Sequence, residues 1–339
     1  MKVCYLIQTY KNPEQIYRLV RTIKESTPDS YILISHNFAA QDLDVRPLQD
    51  LQDVTVISAK GGRGDFALAQ AYLEAIEWLL NHNIQFDWLT NLTGQDYPIQ
   101  PLPQVEKFLA ETKYDGFLEH FNVLANCETN LWGVRNGSDR YLYQYQRAGS
   151  SLPRWQRALV KLPRMVINNI QPWLRVDTSY GWMIGLRAKS SPFNDNFRCY
   201  AGSYFHTISR KCVEYLHYFV NQNSELVNFY KKTWLPEESF IQTVLANSGL
   251  FNLANDNKRY IDWTNTRHGH PRLLSAEDYP AIMASDSHFA RKIDMAQDKQ
   301  LLDLLDEKVL SGQTFHSNYV IKTVLNETVD IGKETSFSR

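Results

Sequence analysis

The first hundred residues alternate short apolar runs with stretches of helical periodicity, which restricts the chain to an α/β fold built on a mainly parallel, helix-covered sheet. Val3 to Ile7 is a continuous apolar run and reads as the first core strand. After Asn12-Pro13, the residues Ile16, Leu19, Val20 and Ile23 recur at helical spacing, and Tyr31-Ile32-Leu33-Ile34 is a second strand. Val54 to Ile57 gives a third strand, Phe66 to Leu80 a helix with Leu68, Tyr72, Ala75, Ile76 and Leu79 inward, and Phe86 to Leu92 a fourth strand. In such sheets ligands bind beyond the carboxyl ends of the strands, so the loops after Ile7, Ile34, Ile57 and Leu92 are the expected place for a nucleotide.

The 339 residues, 43% of them hydrophobic, suffice for a large core. A net charge of −1 removes the basic signature of a nucleic-acid partner or of a membrane held by charge alone, while leaving room for a local basic pocket. No stretch approaches the ~20 apolar residues that span a bilayer, and the amino-terminal run is too short for a signal segment. The expected location is therefore cytoplasmic or peripheral at the membrane. Cys4, Cys127, Cys199 and Cys212 lack metal-binding or disulfide-framework spacing, and Cys4 is expected to be buried.

Several segments carry candidate chemistry. Leu235-Pro236-Glu237-Glu238 precedes Phe240, Ile241, Val244 and Leu245 at helical spacing. Pro236 suits the first position of that helix, and the two acids then fall in its first turn, either as charge-stabilising caps or as a pair able to deprotonate a hydroxyl. Gly61-Gly62-Arg63-Gly64-Asp65 follows the third strand and reads as a plain turn or a phosphate cradle. Thr93-Gly94-Gln95-Asp96-Tyr97-Pro98 ends the fourth strand, with Asp96 bonding nearby backbone or facing a ligand. Between about 117 and 200 aromatics and arginines concentrate, among them Trp132, Arg135, Arg140, Trp155 and Trp173; they could line an acceptor groove. Equally, Trp155, Leu159, Val160, Leu162 and Met165 read as the core side of amphipathic helices. Arg291-Lys292, after the polar turn Ser285-Asp286-Ser287-His288, reads as a solvated pair or as cations for a pyrophosphate.

Taken in order, these pieces resemble the core-2/I-branching β-1,6-N-acetylglucosaminyltransferase and peptide O-xylosyltransferase family (glycosyltransferase family 14). The matching fragments are Asp87 to Pro98, Gly202-Ser203-Tyr204-Phe205 through Ser209-Arg210, Pro236 to Thr243, and Tyr260-Ile261-Asp262-Trp263. His270-Pro271 then leads to Glu277-Asp278 and Phe289-Ala290-Arg291-Lys292. The likeness covers about 1–300 and is thin at 120–195.

The resemblance implies a GT-A-like fold and an inverting transferase that uses a UDP-sugar donor, GlcNAc or xylose, and a glycan or glycoconjugate acceptor, with no essential metal or other cofactor. It places the general base on Glu238 and the donor-phosphate cations on Arg291 and Lys292. Arg63 and Asp96 join them as expected donor contacts, and Glu237, Tyr204 and Trp263 as expected substrate contacts. The expected organisation is one domain over 1–310, with a nucleotide-binding half (1–115), an acceptor and catalytic half (116–310), and a peripheral tail (311–339). Asp42-Leu43-Asp44 is the one DxD sequence, poorly placed for a metal because no apolar strand ends directly before it.

The chain also departs from the family pattern. Ser35-His36-Asn37 replaces a His-x-Asp, Arg63-Gly64 stands where a Trp-Gly is usual, and Tyr204 replaces an acid of xylosyltransferase-like members. A sugar- or nucleotide-binding protein that has lost catalysis is the alternative these departures suggest.

Overall fold

The computed structural model describes residues 1–62, 64–149, 153–264 and 270–311. The opening segments run β1 (Val3–Thr9), α1 (Pro13–Ser26), β2 (Tyr31–His36), β3 (Val54–Ser58), α2 (Ala67–Asn81) and β4 (Trp88–Thr93). β1 pairs in parallel with β2 and β4, and β2 with β3. Every residue of β1 and β2 is buried, which is why both read as unbroken apolar runs rather than as alternating ones. Side-chain alternation along β1 feeds two cores: Cys4 and Leu6 pack on the α2 side, Val3, Tyr5 and Ile7 on the α1 side. α1 begins at Pro13 after a left-handed Asn12, and its Ile16, Leu19, Val20 and Ile23 are wholly inaccessible, as their spacing predicts.

The chain continues through β5 (Asp96–Pro98), α3 (Leu102–Glu111), β6 (Gly116–Leu118), β7 (Phe121–Asn122), α4 (Val134–Tyr141), β8 (Tyr143–Gly149), α5 (Arg154–Ile170), β9 (Leu174–Asp177) and β10 (Trp182–Arg187). It closes with β11 (Tyr200–Ala201), β12 (His206–Ser209), α6 (Arg210–Gln222), α7 (Ser224–Tyr230), α8 (Phe240–Asn247), β13 (Leu253–Ala254), β14 (Arg259–Ile261), α9 (Tyr279–Met283), β15 (Phe289–Arg291) and α10 (Lys299–Leu310). The main sheet has the order β13-β6-β12-β4-β1-β2-β3, with β12 antiparallel to both its neighbours. This is the mainly parallel, helix-flanked sheet expected of the GT-A-like class. The 116–310 half contributes β6, β12 and β13, so both halves share one sheet.

Two small sheets flank it. β14, β15 and β5 form one, and β15 sets Arg291 opposite Asp96. The antiparallel β8-β10-β9 sheet forms the other and carries α5 against β9.

Two local expectations change. Pro236-Glu237-Glu238 is a separate 3-10 turn, not the first turn of α8, because Ser239 leaves the helical region at φ −143° and α8 begins only at Phe240. The acids therefore do not sit on the helix they were expected to cap. In α5, Trp155, Leu159, Leu162 and Met165 are exposed rather than core, because the helix meets β9 through its polar side.

Candidate functional site

A cleft of about 1020 Å³ opens at the carboxyl ends of β1 to β4. Its floor comes from the loops after those strands: Gln8 to Asn12, Ser35 and Asn37, Ala59 to Gly62, and Thr93 to Gln95. Close backbone approach fixes Gly61, where a Cβ would lie 2.0 Å from Asn37 Nδ2.

Glu238 lines this cleft, with its side chain 30% exposed. Its Oε2 accepts a 2.5 Å hydrogen bond from Arg140 Nη1. Arg140 reaches it from α4 across the ring of Trp132, 4.2 Å from the guanidinium, with Trp234 near its other side at 5.3 Å. Burial opposes the Arg140 charge, and the neighbouring carboxylate more than offsets this, raising its pKa. The turn that carries Glu238 is pinned from below. Gly202 N–H donates to the Glu238 carbonyl at 2.9 Å, Ser239 Oγ donates to the Tyr200 carbonyl at 2.6 Å, and Gln242 Nε2 donates to the Ser203 carbonyl at 2.6 Å. The Gly-Ser-Tyr segment and the Pro-Glu-Glu turn are thus one unit, although more than thirty residues separate them in sequence.

Glu237 also borders the cleft but is buried, 3% exposed, beside Tyr204. Burial pushes the Tyr204 phenol up, Glu237 adds to the rise, and its hydroxyl donates to Gln8 Oε1 on β1. Glu119, between β6 and β7, is a third carboxylate on the cleft wall. Burial raises its pKa, against the pull of the Ser203 N–H on Oε2 at 3.0 Å, and the charge of Glu238 raises it further.

A further part of the cleft wall is cationic. Arg291 and Lys292 line the cleft at the end of β15, and the Arg291 guanidinium lies 3.7 Å from the centre of the Phe205 ring. Arg259, on β14, joins them as a buried third cation. It donates from Nη2 to the Asn91 carbonyl at 3.1 Å and lies over the Phe289 ring. Burial pulls its pKa down to about 10, Asp96 acts to raise it, and the Arg291 charge lowers it further. Trp263 and His270 border the same cleft, Trp263 largely exposed.

Asp96, expected among donor contacts, is wholly enclosed behind this wall. Its Oδ2 accepts from Thr93 N–H at 2.7 Å and from Thr93 Oγ1 at 2.5 Å, and its Oδ1 lies 3.7 Å from Arg291 Nη1. It closes the turn and faces Arg291 from behind, so a ligand in the cleft meets the arginine, not the acid. Arg63 lies outside the described residues, as do Arg267, His268 and the tail beyond Ser311. Asp44, of the DxD sequence, is bonded to Arg46 and does not line the cleft.

The structure therefore brings Glu237, Glu238, Tyr204, Trp263, Arg291 and Lys292 to one cleft. Sequence reasoning did not single out Arg140, Glu119 or Arg259 for it. Arg140 stands among many aromatics and arginines with no spacing to distinguish it, and Arg259 lies just ahead of the Tyr260 to Trp263 fragment with no motif of its own.

The family model for the Core-2/I-Branching enzyme matches residues 3–283. Among curated proteins, Beta-glucuronosyltransferase GlcAT14B of Arabidopsis thaliana is 22% identical over 295 residues, covering 86% of this chain and 59% of that protein. Xylosyltransferase 2 of Canis lupus familiaris is 22% identical over 262 residues, covering 72% of this chain and 26% of that protein. The chain thus spans at most about three fifths of the length of these relatives. With the family model running across the main sheet, the Glu237-Glu238 turn and β14, the chain belongs to the Core-2/I-Branching enzyme family.

Proposed function

We propose that this protein is an inverting glycosyltransferase that moves a sugar from a UDP-sugar to a hydroxyl of a glycan or glycoconjugate, with no metal or other cofactor required. The observation that carries this reading is that a carboxylate, Glu238, and three cations, Arg259, Arg291 and Lys292, line one cleft at the carboxyl ends of parallel strands. Glu238 takes the proton of the acceptor hydroxyl as that oxygen attacks the anomeric carbon. The bond from that carbon to the diphosphate oxygen breaks on the opposite face, which inverts the centre. Negative charge grows on the departing diphosphate, where the Arg291 fork and the compact Lys292 charge stabilise it in place of a metal. Arg140 holds the Glu238 carboxylate in one orientation, and Glu237 with Tyr204 supports it from behind.

For the donor sugar, GlcNAc and xylose are the first expectation. The names of the two relatives support extending it to glucuronic acid. Purified protein should release UDP from at least one of UDP-GlcNAc, UDP-xylose and UDP-glucuronate, and Glu238→Gln should abolish release while calorimetry still detects UDP binding. Equal turnover in that variant overturns the base assignment. UDP binding with no turnover on any donor favours a binding protein instead. Transfer should persist in EDTA; its loss on chelation and recovery with manganese overturns the metal-free reading.

A further inference from the structure

α5 is an amphipathic helix turned inside out. Its polar side faces the protein: Asn168 Nδ2 donates to the Val176 carbonyl at 3.0 Å, Val176 N–H donates to Asn168 Oδ1 at 2.9 Å, and Arg164 Nη1 donates to Thr178 Oγ1 at 3.2 Å. Its apolar side faces outward, with Trp155 64%, Leu159 69%, Leu162 69% and Ile170 74% exposed. With Val166, 47% exposed, these positions recur every three or four residues and form one stripe along a helix about 25 Å long. Just beyond its end, Trp173 is 69% exposed, so a tryptophan stands at each end of the stripe.

Charge identifies what covers this face. Between Asp139 and Asp177 there are seven lysines and arginines and no aspartate or glutamate; Arg140, Arg147, Arg164 and Arg175 pair with Glu238, Asp65, Asp177 and Asp139, and the other three, Arg154, Arg157 and Lys161, all fall in the sequence of α5. Four of those cations, Arg154, Arg157, Lys161 and Arg164, lie within α5. An apolar stripe with tryptophans at its ends, on a helix whose sequence holds cations and no acid, is the pattern of a helix that lies in the headgroup layer of an anionic bilayer. No described helix is long and apolar enough to cross a membrane, and α5, with four cations in its 17 residues, is suited to lying on a surface.

We infer that α5, together with Trp173, docks this protein onto an anionic lipid surface. The docking face is joined to the cleft through α4, whose Arg135 donates to Asn169 Oδ1 of α5 at 2.6 Å while its Arg140 holds Glu238. A membrane under α5 would thus be coupled by one short helix to the wall that carries the carboxylate.

Flotation with lipid vesicles tests this without any assay of sugar transfer. The protein should float with vesicles of phosphatidylcholine mixed with phosphatidylglycerol and much less with phosphatidylcholine alone, and high salt should weaken the binding. The triple variant Leu159→Glu, Leu162→Glu, Ile170→Glu should lower the partition coefficient about tenfold or more, because three apolar contacts are lost and three repelling charges gained. Its Tm should be unchanged, since these side chains are exposed. Lys161→Glu alone should lower binding severalfold. Wild-type protein that stays out of anionic vesicles, or a triple variant that binds them equally, overturns the inference. So does a triple variant that instead abolishes a concentration-dependent dimer in sedimentation, which would assign the face to a second copy of the chain.

Discussion

In α1 the residues Ile16, Leu19, Val20 and Ile23 press on the main sheet and are wholly inaccessible, whereas in α5 Leu159, Leu162 and Ile170 point outward and Arg164 and Asn168 meet the small sheet. Both helices carry a clear apolar stripe. The difference lies in what each packs against. α1 lies over a sheet whose strands are buried on both faces, so its stripe is needed to close a core. α5 meets β9, whose residues are half-buried, and Arg135 of α4, and these contacts are made by side-chain amides and guanidinium groups. A stripe shows that a helix has an apolar partner; it does not say that the partner is the rest of the same chain.

The largest effect that should separate the regions is catalytic. Glu238→Gln, at the cleft beside the main sheet, should lower kcat on the order of 10² to 10⁴-fold with UDP binding retained. The triple change on α5 should leave kcat on a soluble acceptor within about twofold, because exposed positions away from a site seldom matter to it. Steady-state rates on both variants check this, and a comparable kcat loss from the α5 change would erase the distinction.

Next in size is stability. Leu6→Ala, at a position with no exposure in β1, should cost about 2–5 kcal/mol in urea unfolding, from lost transfer energy and the cavity left behind. A value under 1 kcal/mol would mean that the sheet core is far looser than its burial indicates.

Acid should act on the sheet region too. Burial pushes His206 on β12 and His288 before β15 down to about 3, each from an ordinary value near 6.5. The unfolded chain therefore binds more protons than the folded one between these values. The stabilisation is complete above about pH 6.5 and is lost as pH falls toward 3, at about 1.4 kcal/mol per pH unit for each histidine. His206→Gln should remove one histidine's share of that slope in pH-dependent unfolding. An unchanged slope would show that His206 is protonated without cost.

The smallest expected effect is the sharpest contrast. Leu162→Ala on α5 should change unfolding free energy by about 0.5 kcal/mol or less, against the several lost at Leu6. A loss like that of Leu6 would mean that α5 is covered in the isolated protein.

Much of this was legible in the chain. The four opening strands and two helices stand where their patterns put them, and the four predicted loops form the cleft floor. Glu238, Arg291 and Lys292 border that cleft, with the Gly-Ser-Tyr segment tied directly beneath the Glu238 turn. Arg140 was legible only as one of a cluster that could line a groove, and Arg259 was not legible as a site residue. Arg140 gains meaning from a carboxylate 98 positions away, and Arg259 from the Asn91 carbonyl, 168 positions away. The position of Asp96 behind Arg291 was hidden for the same reason, since the pairing of β5 with β15 sets it.

Local sequence alone determined the elements and the cleft floor, because strand burial, helical spacing and proline or glycine punctuation act over a few residues. Only the tertiary structure decided which charges meet and which apolar stripe is left outside. Those outcomes depend on how strands far apart in the chain come into register, and no local pattern encodes that distance.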